Sequence, residues 1–116
     1  MTKLYGIPNC DTVKKARRWL EENGIAYEFF DFKKTPPTAD LIETWLAQIP
    51  LETLLNKRGT TWRKLDAAAQ AAAADQGGAV ALMAENPSLI KRPVLAKDGQ
   101  FYAGFSEVAY RAVFAV

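Results

Sequence analysis

Cys10 is the only cysteine in a chain of 116 residues, and no histidine accompanies it. A lone thiol cannot close an intramolecular disulfide. Without histidine, the usual zinc ligand set and the Cys–His pair of thiol proteases are both excluded, and no metal site is expected. Activation of Cys10 must therefore come from backbone dipoles or from Lys and Arg. Its neighbours suit that. Cys10 follows Pro8-Asn9, which break a short apolar segment, and precedes the polar pair Asp11-Thr12 at the start of a helical pattern. The first amides of a helix lack internal partners and carry partial positive charge, so an anion is stabilised there. Thiols in such places fall from about 8.5 to roughly 3.5–7.5 in pKa. Asn9 and the amides of Asp11 and Thr12 are the groups expected to face the sulfur. Lys14 and Lys15, one turn on, add positive charge, and Asp11 opposes them.

The second candidate is Arg92-Pro93, directly ahead of Val94-Leu95. Proline cannot donate to a sheet ladder, so its place before a core-like strand is unusual. In a thioredoxin-like fold this place is held by a cis proline that faces the active-site cysteine. It leaves the preceding backbone free to pair with an extended thiol peptide such as glutathione. A trans proline at a strand start is the plain alternative.

The elements that must position these residues follow from periodicity. Residues 3–7 read as a strand. A helix from about Asp11 to Glu22 places Val13, Ala16, Trp19 and Leu20 on one face, and Asn23-Gly24 stops it. Ile25 to Phe32 reads as a second strand, which makes a β-α-β unit with parallel strands. Thr38 caps a helix carrying Leu41, Ile42, Trp45, Leu46 and Ile49, ended by Pro50, and a helical turn follows at Leu51–Leu55. A further helix begins near Thr61 or Trp62, and the alanine-rich stretch Asp66–Asp75 favours helix. Gln76-Gly77-Gly78 is expected to interrupt it before Ala79–Glu85 resumes. Val94–Ala96 and Phe101–Ala103 form a hairpin about Asp98-Gly99, and Ser106 caps a last helix over Glu107–Phe114 that buries Val108, Val113 and Phe114. The order is β-α-β, a helical block, then β-β-α. The reading is an α/β, thioredoxin-like fold, a single domain over residues 1–116 with a helical insertion at about 38–90.

Composition agrees with a globular domain: 49% hydrophobic, 24% charged, net charge +2. That charge is too small to argue for direct nucleic-acid binding. The basic clusters Lys14–Arg18 and Lys57–Lys64 also suit solvated faces. No apolar run approaches the roughly 20 residues of a membrane span. The N-terminal residues carry no secretory pattern, so the expected compartment is the cytoplasm.

Five stretches together resemble the ArsC/Spx family, most closely its YffB-type branch. They are Gly6 to Ala16, Asn56 to Arg63, Leu82 to Ser88, Lys91 to Leu95, and Gly104 to Glu107. The resemblance covers about residues 2–114. It implies a thioredoxin-like core with a helical insertion and a nucleophilic cysteine at the strand–helix junction, which falls on Cys10. In arsenate reductases of the family that cysteine attacks arsenate within three arginines, and glutathione and glutaredoxin resolve it. One of those arginines carries over, onto Arg92. Asn56 stands where the first would fall and Gly104-Phe105 where the last would, which leaves Arg58 or Arg63 as substitutes. The Spx branch consists of transcriptional regulators that bind RNA polymerase and often carry a C-x-x-C switch, whose fourth position here is Val13.

The expected function is that of a monothiol, glutathione-dependent thiol–disulfide oxidoreductase. Cys10 is the nucleophile, resolved by an external thiol because the chain has no second one. Arg92 is expected to be a catalytic residue that binds a carboxylate of glutathione or a substrate oxyanion, with Asn9, Asp11, Thr12, Arg58 and Pro93 in the binding site. No bound cofactor is expected. Glutathione is the co-substrate, glutaredoxin a candidate partner, and the chain a monomer. Arsenate reduction and an Spx-like regulatory role are the alternatives.

Overall fold

A computed structural model describes residues 1–116. The chain forms two compact units, Met1–Lys34 with Arg92–Val116, and Thr35–Lys91.

The first unit holds the sheet. Its elements are β1 (Thr2–Gly6), α1 (Asp11–Glu22), β2 (Tyr27–Asp31), then β3 (Val94–Lys97), β4 (Gln100–Ala103) and the last helix, Glu107–Phe114. The strand order is β2-β1-β3-β4. β1 runs parallel to β2, with Leu4 opposite Phe29, and antiparallel to β3, with Leu4 opposite Leu95. β3 pairs antiparallel with β4, setting Leu95 opposite Tyr102. This is the thioredoxin-like arrangement the element order implies. Asp98 (φ 52°) and Gly99 (φ 77°) make the two-residue turn with both residues left-handed, which suits the twist of a tight hairpin. The core brings Leu4 and Leu95 against Ala16, Trp19 and Leu20 of α1 and Tyr110 of the last helix. Trp19 and Tyr110 meet edge to face, their ring centroids 5.6 Å apart.

α1 buries Val13, Ala16, Trp19 and Leu20, the face its spacing predicts. It ends in a Schellman closure: Gly24 N–H reaches Glu21 O (3.2 Å) and Ile25 N–H reaches Leu20 O (2.9 Å), with Gly24 at φ +68°. That closure ties Ile25 to the helix end, so the second strand begins at Tyr27 rather than at Ile25. The last helix departs from expectation in its buried face. Tyr110 is buried and Val113 and Phe114 pack beside it, three and four residues on, whereas Val108 is 82% exposed. Two residues before Tyr110, Val108 lies about 200° around the helix and points away from the core.

The second unit is helical. Thr38 caps α2 (Ala39–Leu46) by accepting from Leu41 N–H. α3 (Leu51–Leu54), α4 (Thr60–Lys64), α5 (Ala67–Ala72) and α6 (Gln76–Glu85) follow, then a 3-10 turn at Pro87–Leu89; the last helix of the chain is α7. α2 packs on α6, and Ile42, Trp45, Leu54, Val80, Met83 and Leu89 are buried. The helix expected from near Thr61 or Trp62 and the helix-favouring alanine stretch are two separate elements. α4 stops at Lys64, and Asp66 caps a new helix by accepting from Ala69 N–H. The expected break at Gln76-Gly77-Gly78 is instead the first turn of α6. Asp75 caps it by accepting from Gly78 N–H (2.6 Å). The glycine at 78 answers a close approach: a Cβ there would stand 1.8 Å from the Ala72 carbonyl oxygen.

Candidate active site

The segment after β1 turns sharply at Pro8-Asn9, and Cys10 N–H closes it on Ile7 O (3.2 Å). Cys10 is then the N-cap of α1, with extended backbone (φ −88°, ψ 127°), and its carbonyl accepts the first helical bond from Lys14 N–H (2.9 Å). An N-cap side chain faces the amides of the second and third helical residues. In α1 these are Thr12 and Val13. The thiol closes no cap hydrogen bond of ordinary geometry, yet both amides favour its charged form.

Burial of the sulfur acts to raise the thiol pKa. The Val13 N–H, the Arg92 guanidinium (by hydrogen bond and by charge) and the Thr12 N–H outweigh it, and the net shift is downward. Cys10 is a free, half-buried thiol poised toward thiolate.

Arg92 reaches the sulfur from the start of β3. The Arg92–Pro93 peptide is cis. Pro93 is buried, its carbonyl accepts from Gly104 N–H (2.8 Å), and Val94 pairs with Ala103 in the next register position. The residue before the proline is thereby fixed to the sheet at one end while its guanidinium engages Cys10.

The structure thus brings Cys10, Thr12, Arg92 and Pro93 into one unit, with Arg92 and Thr12 acting on the sulfur. Asn9 is exposed in the turn. Asp11, at the first helical position, is exposed too, and the second donating amide is that of Val13 where Asp11 was expected. The N-cap rule points to that amide, since the second and third helical residues, not the first, turn their N–H groups toward the cap. Lys14 and Lys15 are exposed, and the cation acting on the sulfur is Arg92. Arg58 belongs to the helical unit, exposed in the turn where its N–H donates to Asn56 Oδ1 (3.0 Å). Val13, at the fourth position of the would-be C-x-x-C, is wholly buried.

Comparison with known proteins places these features among relatives. The ArsC family model matches residues 5–113. A Haemophilus influenzae protein named only as uncharacterized is 41% identical over 115 residues, covering 99% of this chain and all of its own. The solved structure of a protein named YFFB superimposes with a TM-score of 0.93 at 46% identity, over 97% of each chain. An arsenate reductase (ArsC) related protein from Brucella melitensis is 45% identical, with a TM-score of 0.75 over 99% of this chain and 95% of its own.

Proposed function

This chain belongs to the ArsC family, and from that premise we propose that it is a monothiol, glutathione-dependent thiol–disulfide oxidoreductase. The observation that carries the reading is the arginine hydrogen-bonded to a lone cysteine at a helix start, which with two amides lowers the thiol pKa against the opposing effect of burial.

The Cys10 thiolate attacks one sulfur of a disulfide R–S–S–R′. The new bond is Cys10–S–S–R, and R′ leaves as a thiolate. A glutathione thiolate then attacks the mixed disulfide, carries R away as the glutathionyl disulfide and returns Cys10 as thiolate. A second glutathione thiolate attacks the glutathionyl disulfide, releasing R as a thiolate and leaving oxidised glutathione, so two external thiols supply the two electrons and the chain, with no resolving cysteine, supplies none. Arg92 lowers the cost of the resting thiolate and pairs with a carboxylate of the incoming peptide once the sulfur is neutral. Pro93 shapes the edge along which that peptide lies. Glutaredoxin is the candidate protein partner, and the chain works as a monomer in the cytoplasm.

Mass spectrometry of the purified protein with oxidised glutathione tests this. One glutathione per chain is expected, on Cys10, absent in Cys10→Ser. In Arg92→Ala it should form about threefold to tenfold more slowly at neutral pH. A protein that forms no adduct yet keeps a stoichiometric partner as Cys10→Ser would be a binding protein and would sink the proposal.

The same donors suit a tetrahedral oxyanion, and the name of the Brucella relative favours arsenate reduction as the second reading. Its signature is NADPH consumption dependent on arsenate in an assay coupled through glutathione and glutaredoxin, lost in Cys10→Ser.

A further inference from the structure

We propose that Gly6 is a positioning residue for Cys10: its missing side chain lets Val13 seat against the end of β1, and that seat holds the Val13 and Thr12 N–H groups at the sulfur. This inference rests on the thiol chemistry assigned above and asks what keeps the donors in place.

Gly6 is the last residue of β1, paired with Asp31 of β2, and its carbonyl accepts from Phe32 N–H (2.8 Å). Its φ lies outside the left-handed region. Conformational freedom therefore does not explain the glycine. Space does. A Cβ at Gly6 would stand 2.8 Å from Val13 Cγ2 and 3.4 Å from Cγ1. Val13 cannot yield easily: it is fully buried, and its β-branched side chain has little rotamer choice in a helix. A side chain at residue 6 would push against the residue whose own backbone N–H faces the thiol.

The spacing makes the contact consequential. Gly6 ends the strand, Cys10 caps the helix, and Val13 is the third helical residue, so strand end, sulfur and donor are linked within eight residues. Cys10 is itself tied to this turn through Ile7 O. Moving the first turn of α1 away from β1 shifts the two amides relative to a sulfur that the turn still holds. Displacement of the two amides changes how strongly they favour the charged sulfur and matters much less for the rest of the core.

The experiment is the rate of Cys10 alkylation by iodoacetamide as a function of pH, which needs neither substrate nor turnover. Gly6→Ala should raise the titration midpoint and slow alkylation at neutral pH about threefold or more. The double variant Gly6→Ala/Val13→Ala removes the methyl groups that collide and should restore the wild-type profile. A loss of stability alone would leave the midpoint of the folded protein unmoved. The proposal is overturned by an unshifted midpoint in folded Gly6→Ala, or by a double variant that stays shifted. Should Gly6→Ala not fold, a folded double variant with the wild-type midpoint upholds the proposal, and a double variant that also fails to fold overturns it. Failure of glutathione adduct formation in the wild type would instead reject the functional reading, and the alkylation profile would still decide this one.

Discussion

At the scale of the residue, Cys10 is governed by a contest between burial and donors. Half-burial alone would make it a less acidic thiol, and Val13, Arg92 and Thr12 reverse the sign. The reversal has a thermodynamic signature. The folded thiol titrates below its ordinary value, so between the folded and unfolded pKa the native chain holds a thiolate while the unfolded chain still binds a proton. Stability from this group is present above the unfolded thiol pKa and is lost as pH falls through the folded one. Urea denaturation across pH should show wild type gaining on Cys10→Ser as pH rises through that window, then holding its advantage; an advantage that shrinks with rising pH would contradict the assignment. Both Cys10 and Arg92 were legible in the sequence. One stands where a strand breaks into a helix, and the other before an improbable proline. The Val13 donor was missed because the expectation fell on the amides of the first two helical residues, Asp11 and Thr12, whereas an N-cap side chain faces those of the second and third.

Elements whose ends are set by local chemistry read well from sequence, and those set by neighbours do not. Asp11–Glu22 and Glu107–Phe114 match their expected bounds, with apolar spacing and a stop at Asn23-Gly24 in the first and a Ser106 cap in the second. The two glycines at 77 and 78 read as a helix break, since glycine costs helix stability. They sit inside α6 because the Asp75 side chain captures Gly78 N–H and the Ala72 carbonyl occupies the space a Cβ would need, a contact no local pattern reveals. The pair offers a sharp comparison. Gly77→Ala meets only Asp75 Oδ1, at an ordinary 3.7 Å, and should stabilise by about 0.5 kcal/mol. Gly78→Ala drives a methyl group into backbone and should destabilise by about 1–3 kcal/mol. Denaturant midpoints of the two variants should move in opposite directions. Val108 was misjudged for a related reason: hydrophobicity marks a residue as suited to the core, but Tyr110 takes the inward position and fixes which face that is.

Across the whole molecule, burial differs from element to element. In the sheet unit, Leu4 and Leu95 on the two central strands have no exposed surface. In the helical unit, α5 buries none of its six residues fully, despite the high intrinsic helicity of alanine. Amides in β1 and β3 should therefore exchange with deuterium only through global opening, while those of α5 exchange through local opening at a lower free energy. Native-state exchange in mild denaturant would separate them, and equal opening energies would refute the division. At this scale the sequence conveyed the element order and hence the thioredoxin-like sheet, because each strand and helix carries its own period. The buried place of Val13 has a last consequence, one of timing. Where a second sulfur could have stood, a valine fills the seat beside Gly6. A mixed disulfide at Cys10 would have no internal exit, so its rate of decay would be first order in whatever thiol surrounds the chain and its lifetime would shorten as that thiol rises. The fraction of molecules capped at any moment then reads the concentration of that thiol, which makes the packed valine the reason such a protein would report on its surroundings instead of resetting itself.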